Sequence, residues 1–348
     1  MEAYTEALCR EIAMQGSLFA AAGQAVTVYI GGGTPTALPL SLLERILRTV
    51  QRCFPLAADA EFSVEANPGT VDAAYLAGLL AAGANRLSLG VQSFNDRLLQ
   101  RIGRIHTAEQ ARQAVFMAQA AGFKNVSLDL MYGLPGQTLA DLAASVAEAA
   151  ELQPQHISIY GLQVEEKTVF FRQQQQGRLQ LPDEAVAETM YDYMTEELPR
   201  RGFIRYEISN FARSGFASRH NLGYWQDVPY LGMGTAAHSY WAGRRQENTV
   251  DIAAYIRQVM EGKLPAHEEE PAARSLHMEE FCFLALRTVQ GIDRQKFVDK
   301  FDCTLESVYA PVLADMRGKG LLAVDDVGVR LTTRGMKYGN VVFAAFLL

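Results

Sequence analysis

Residues 25–35, AVTVYIGGGTP, set a short β-branched and aromatic run directly against three glycines, a threonine and a proline. Such a run suits a pleated strand, and the Gly-rich end forces an abrupt turn. The segment from Ser41 to Arg52 then carries helical apolar spacing. The same unit recurs down the first half of the chain. EFSVEA (61–66) ends in NPG, RLSLGV (86–91) in QSFN, NVSLDL (125–130) in MYGLPGQT, and HISIYGL (156–162) in QVEEKT. Helical patterns at Val71–Ala82, Thr107–Ala121 and Leu139–Leu152 separate them, each long enough to cross back and allow parallel pairing. An α/β sheet follows, either doubly wound or a barrel. Because every unusual turn comes just after a strand, where barrel enzymes gather their polar groups, a partial barrel is the expectation. A helix from Glu2 to about Phe19 precedes the first strand, whereas a barrel normally begins on a strand.

The 348 residues are long for one core, so a main domain with a smaller companion is expected. With 49% hydrophobic and 20% charged residues the chain is neither disordered nor a disulfide scaffold. No apolar stretch approaches the ~20 residues of a membrane helix, and the first residues lack a signal-peptide centre, so a cytoplasmic protein is expected. The net charge of −7 argues against a sequence-blind nucleic-acid binder. Cys9, Cys53, Cys282 and Cys303 stand too far apart for a CxxC-type cage and read as reduced thiols.

Three segments are expected: a barrel core at 1–165, a flanking segment at 166–266, and a C-terminal α+β domain at 267–348. The flanking segment has a Gln-rich stretch (173–176), a helix at 185–197 and an aromatic, Gly-rich section from Tyr206 to Trp241. The last segment reads as helices at 273–288, 294–301 and 305–318, then a hairpin turning at Asp326–Gly328. That order suggests a winged helix, but from residue 271 onward ten Lys and Arg face nine Asp and Glu, so partner docking is preferred to DNA binding.

Gly31, Gly32, Gly33 and Thr34 expose backbone that can receive a charged ligand, although neither a P-loop nor a dinucleotide fingerprint is present. Glu65, Gln92 and Asp129 are polar groups at the ends of successive apolar strands, and Arg104 is available as a carboxylate clamp. Together they suit a polar ligand with ribose and amino-acid groups. RHNLGYW (219–225) and YLGMGTAAHSYW (230–241) crowd His220, Tyr224, Trp225, His238 and Trp241 into one section. This mixture can stack on and ligate a flat metal-bearing cofactor such as haem, or form a packed aromatic corner.

GGGTPTAL (31–38), SVEANPGTV (63–71), RLSLGVQSFND (86–96), RIGRIH (101–106), SLDLMYGLPGQT (127–138), YEISNFAR (206–213), HNLGYW (220–225) and GMGTAAHS (232–239) together resemble the HemW-type haem chaperones. These are radical S-adenosylmethionine proteins similar to oxygen-independent coproporphyrinogen III oxidase. The resemblance spans nearly the whole chain, in order. It implies a partial (β/α)6 barrel with S-adenosylmethionine at its rim: Gly32, Gly33 and Thr34 along the methionine moiety, Glu65, Gln92 and Asp129 at the amino and ribose groups, Arg104 at the carboxylate. It also implies haem at HNLGYW, with His220 the contact and candidate iron ligand beside Tyr224 and Trp225.

The family's CxxxCxxC loop, which holds a 4Fe–4S cluster after the first barrel strand, has no counterpart in these 348 residues. The expectations that follow are no radical chemistry from this chain as written, weak S-adenosylmethionine affinity, a barrel lacking its first strand, and an unpaired edge at Ala25–Ile30. A truncated or mis-assigned start is expected ahead of a natural variant that has shed the cluster. The function implied is haem binding and transfer to an acceptor apoprotein, a respiratory protein being one candidate, with homodimerisation left open. The alternative is a coproporphyrinogen III oxidase-like enzyme of porphyrin biosynthesis.

Overall fold

Strand and helix alternate as the spacing predicts, and the computed structural model describes residues 1–268 and 273–348, the side chains of Ala20 and Glu268 aside. Residues 269–272, just past the expected 266/267 boundary, lie outside the described residues. The first half runs α1 (Glu2–Phe19), β1 (Ala25–Ile30), α2 (Leu40–Cys53), β2 (Leu56–Ala66), α3 (Ala73–Ala81), β3 (Arg86–Gln92), α4 (Asp96–Arg101), α5 (Ala108–Ala121), β4 (Val126–Tyr132), α6 (Leu139–Glu151) and β5 (His156–Gly161). Next come α7 (Val169–Gln175), α8 (Glu184–Arg200), β6 (Ile204–Arg205), β7 (Asn210–Ala212), α9 (Arg219–Trp225), β8 (His238–Trp241), β9 (Arg244–Asn248), α10 (Ile252–Met260) and β10 (Ala266–Glu268). The chain closes with α11 (Arg274–Leu286), β11 (Ile292–Asp293), α12 (Arg294–Phe301), α13 (Leu305–Gly318), β12 (Leu322–Val324), β13 (Gly328–Leu331), α14 (Thr333–Lys337) and α15 (Gly339–Ala345).

The helices start where side chains can satisfy their first free amides. Thr107 with Gln110, and Thr138 with Asp141, close capping boxes on α5 and α6. The main sheet has the order β1-β2-β3-β4-β5-β7-β6, parallel from β1 to β5 and antiparallel through β7 and β6. It is a curled, mixed half-barrel. The sheet therefore does not stop near residue 165, because two strands of the flanking segment extend it. At the other edge β1 has β2 as its one strand partner among the described residues.

Each parallel strand alternates. Phe62 and Val64, Leu87 and Leu89, Leu128 and Leu130, Ile157 and Ile159 turn outward and are buried under the helices. The intervening residues are polar and face the concave side. Parallel sheets are normally apolar on both faces, so a polar lumen marks a face kept for something other than packing. A second sheet, β10-β9-β8, flanks the barrel, and the C-terminal part has its own core around a three-stranded sheet of order β11-β13-β12. Its hairpin turns over Asp325–Val327, one residue earlier than the sequence suggested. Gly328 already begins β13, and its N–H and that of Val327 donate to the Asp325 carboxylate.

Candidate functional site

The concave face is built in layers by strand register. Near the strand starts, Ser63 of β2 pairs with Arg86 of β3, and Ser127 of β4 with His156 of β5. His156 is fully buried between Ser127 Oγ (2.7 Å) and Tyr206 Oη (2.8 Å), and burial beside the Arg86 charge pushes its pKa well down. Tyr206 Oη in turn accepts the Ser218 N–H at 3.3 Å.

That amide belongs to the N-cap of α9, the helix carrying HNLGYW. Glu61, on β2, accepts from Ser218 Oγ (3.3 Å), Arg219 N–H (3.0 Å) and His220 N–H (3.1 Å), so a buried carboxylate stands at the helix's positive end. The segment read as an aromatic section is thus a short helix seated against the barrel's first two strands. His220 lies between β1 and α9. Its Nδ1 is 2.9 Å from Thr27 Oγ1 and its Nε2 is 3.0 Å from Tyr224 Oη. The ring stacks on Tyr29 at 4.8 Å and 17°, and meets the edge of Tyr224 at 4.8 Å. Burial chiefly lowers its pKa to about 4, against an opposing pull from Glu61, so the imidazole is neutral at pH 7.

The three candidate haem residues do not share one face. His220 and Tyr224, four apart, meet. Trp225 points the other way, its ring 4.6 Å from the Arg287 guanidinium at the end of α11 and its buried Nε1 without a hydrogen-bond partner among the described residues. Nor do His238 and Trp241 join them: His238 is exposed near Glu247, and Trp241 packs on Phe19. Tyr230 is the further aromatic that arrives, 4.7 Å from Tyr224.

At the strand ends the rim residues gather. Tyr29 Oη donates to Glu65 at 2.6 Å, and the Gly32 N–H also donates to that carboxylate. A Cβ at Gly31 would sit 2.8 Å from the Glu65 carboxylate and 2.5 Å from the Tyr29 ring, so any larger residue there pushes this pair aside. Gly32, Gly33 and Thr34 form the exposed lip above. Asp129 accepts from Ser88 Oγ (3.1 Å) and from Ser158. Burial raises the pKa of both Asp129 and Glu65. The charges of Arg86 and Arg104 pull Asp129 back down, and Asp129 pushes Glu65 further up. Gly90 leaves the room that the Arg104 and Gln92 side chains fill, each within 3.3 Å of where its Cβ would lie. Gln92 sits in the left-handed region at φ 67°, a costly conformation held where β3 slips register against β4. The loop is pinned from below by His106, which bonds Asn67 Oδ1 and the Val91 carbonyl. Glu65, Gln92, Arg104 and Asp129 therefore converge.

Sequence reading missed Thr27, Tyr29, Glu61, Arg86, His156 and Tyr206. The signal for the strand residues was the strict alternation of apolar and polar positions, which puts Thr27 and Tyr29, Glu61 and Ser63, and Arg86 and Ser88 on the concave face.

The four cysteines do not converge. Cys9 lies in α1, Cys53 ends α2, Cys282 is buried in α11 and Cys303 follows α12. Among the described residues no group of three His, Cys, Asp or Glu could hold a metal ion. These residues do not fit a 4Fe–4S cluster. The rim is different in kind: two carboxylates, a guanidinium and an open Gly lip suit an amino acid joined to a nucleoside. Among the described residues, no helix is long and apolar enough to cross a membrane.

Residues 2–149 match the Radical SAM superfamily, and residues 275–338 match the HemN C-terminal domain. The chain is 41% identical over 322 residues to the heme chaperone HemW of Bacillus subtilis, covering 92% of this chain and 85% of that protein. It is 33% identical over 324 residues to HemW of Escherichia coli, covering 92% and 84%. In structure it is similar to coproporphyrinogen III oxidase (HemN) from Escherichia coli, a radical SAM enzyme, with a TM-score of 0.85 and 26% identity over 99% of this chain and 82% of the other. A polar rim on a curled parallel half-barrel, a helix bearing HNLGYW and relatives of this length and identity lead to one conclusion: the chain belongs to the HemW haem-chaperone family of the radical S-adenosylmethionine superfamily.

Proposed function

We propose that this chain binds haem at α9 and passes it to an acceptor apoprotein. The observation that carries the reading is His220, a neutral imidazole ringed by Tyr29, Tyr224 and, beyond it, Tyr230. A neutral ring nitrogen is what iron ligation needs, and the second nitrogen must be held to fix the ring's direction. Ligation through Nε2 would replace the Tyr224 contact and leave Thr27 on Nδ1 as the orienting partner. Tyr224 then becomes a flanking aromatic, while Trp225 serves as the packing link to Arg287.

At the rim we assign Glu65, Asp129 and Gln92 to the amino and ribose groups of S-adenosylmethionine, Arg104 to its carboxylate, and Gly32, Gly33 and Thr34 to the lip along its methionine part. The support is convergence: the charges of Asp129 and Arg104 already act on one another, and Glu65 presents an oxygen toward the open lip. The oxidase-like alternative requires cluster-driven radical chemistry, for which these cysteines supply no ligand set. The C-terminal order of helix, strand, two helices and hairpin supports a winged-helix-like module, and its near-balanced charge favours a protein acceptor over DNA.

Haem titration of the purified protein, followed by visible absorption beside His220→Ala, tests the reading. Saturable near-stoichiometric binding that weakens at least about tenfold in the variant is expected, the loss of one ligand bond worth more than 1.4 kcal/mol. Binding indifferent to His220 would refute the site. No binding would refute the function for this chain.

A further inference from the structure

Away from the lumen, α1 and α2 pack side by side on the outer layer and leave a groove of about 600 Å³ between them. Four arginines line it: Arg10 from α1, and Arg45, Arg48 and Arg52 from α2. Arg45 pairs with Glu6 across the groove, but Arg10, Arg48 and Arg52 make no hydrogen bond or ion pair with any described residue. Glu44 stands at the favourable i, i+4 spacing from Arg48, and the two are nevertheless unpaired. On a chain with net charge −7, this face holds four positive side chains against two negative ones.

The arrangement is unfavourable for the helix alone. Arg45, Arg48 and Arg52 repeat at i, i+3 and i+7, so they rise on one face and repel, each such pair costing a few tenths of a kcal/mol. They extend over about 10 Å of helix at 1.5 Å per residue. The positive charges in that row can each attract a carboxylate. The two glutamates decide between anions. A polyphosphate, charged evenly along its length, would be repelled at Glu6 and Glu44. A peptide can place carboxylates on the arginines and a backbone N–H or a basic side chain against Glu44. We propose that this groove binds an acidic segment of a partner protein, presenting two or three carboxylates within about 10 Å. The site is separate from both the rim and α9, and stands whether or not haem is the cargo.

The test is fluorescence anisotropy with a labelled dodecapeptide of repeating Glu-Glu-Ser, run on the full chain. Saturable binding that weakens as salt shortens the screening length is expected. Arg48→Glu with Arg52→Glu should lower the affinity at least about tenfold, and Arg48→Lys with Arg52→Lys should stay within about threefold, because charge rather than shape dominates at an exposed rim. Both positions are exposed, so unchanged melting temperatures are expected and verify the fold. No saturable binding, or equal binding by the charge-reversed protein, overturns the proposal. Displacement of the peptide by tripolyphosphate at lower concentration than by unlabelled peptide also overturns it, assigning the groove to phosphate instead.

Discussion

Glu61→Ala should release α9 from the barrel. The carboxylate is 7% exposed and accepts three hydrogen bonds, two of them from the backbone amides of Arg219 and His220. A bond to a charged acceptor contributes about 1.5–3 kcal/mol, and an amide left buried without a partner costs about 1–3 kcal/mol more. Water reaches the half-buried start of α9, which offsets part of this, and the Ser218 cap on Asn221 N–H survives. A net loss of about 3–4 kcal/mol remains, about 6–16 °C in melting temperature for a protein above 150 residues. Glu61→Gln keeps one acceptor oxygen and should lose only about 1–2 kcal/mol. Thermal melts of both variants, with hydrogen exchange across residues 219–225, measure this directly. The reasoning fails if Glu61→Ala melts within about 2 °C of the parent, under 1 kcal/mol on that scale, and the α9 amides exchange no faster.

Tyr29→Phe keeps the stack on His220 but removes the hydroxyl bond that lowers the Glu65 pKa, so an NMR titration should find that carboxyl shifted further up. A Glu65 pKa that does not move would show that the bond carries no weight. His220 has a folded pKa of about 4 against 6.5 unfolded, so the unfolded chain takes the proton first and stability falls as pH drops from 6.5 toward 4. The ceiling is about 3 kcal/mol, discounted to about 2 for partial exposure. His220→Gln should lessen that slope, read as the difference from the parent because His106 and His156 are shifted the same way. Glu11, fully buried, accepts from Tyr255 Oη, the Gly234 N–H and Asn248 Nδ2, and Glu11→Ala, which leaves these buried donors short of an acceptor, should destabilise by about 3–5 kcal/mol while loosening the GMGTAAHS loop. Denaturant melts that place it within 1 kcal/mol of the parent would contradict this.

What was legible in the sequence was local. Each strand of the parallel run was found from its β-rich, alternating run and the turn after it, though β2 starts at Leu56, five residues before the expected 61, and the intervening helices followed from apolar spacing. The rim was legible in part: Glu65 and Gln92 stand at or near the ends of their strands and Asp129 three residues before the end of β4, but register sets Glu65 beside Ser88 and Gln92 beside Leu130, so their convergence depends on the β3 slip and the side chains' reach. Long-range partners were not. Nothing near Glu61 indicates that it closes a helix beginning 158 residues later, and β6 and β7 are too short to show a period. HNLGYW did not read as a helix because it is only a few residues long and contains Asn221 and Gly223, poor helix formers that tertiary contacts override. The same residues misled about Trp225, which a sequence places next to Tyr224 and a helix turns away from His220.

One side chain joins the two candidate sites. Tyr29 gives its hydroxyl to Glu65 at the rim and its ring face to His220 at α9, so any ligand that takes the Glu65 oxygen for a cationic amino group competes with the tyrosine for it. Losing that acceptor frees Tyr29 to rotate, and the His220 ring stacked on it loses a wall while keeping its Thr27 bond. Linkage makes the effect reciprocal: if rim occupancy changes haem affinity by some factor, haem must change rim affinity by the same factor. Tyr29→Phe, which keeps the ring and removes the shared hydroxyl, should bring that factor to one while each ligand still binds alone. A coupling that persists in Tyr29→Phe would have to run through the Glu61 anchor of α9 instead, since Glu61 and Glu65 lie on the same face of the same strand.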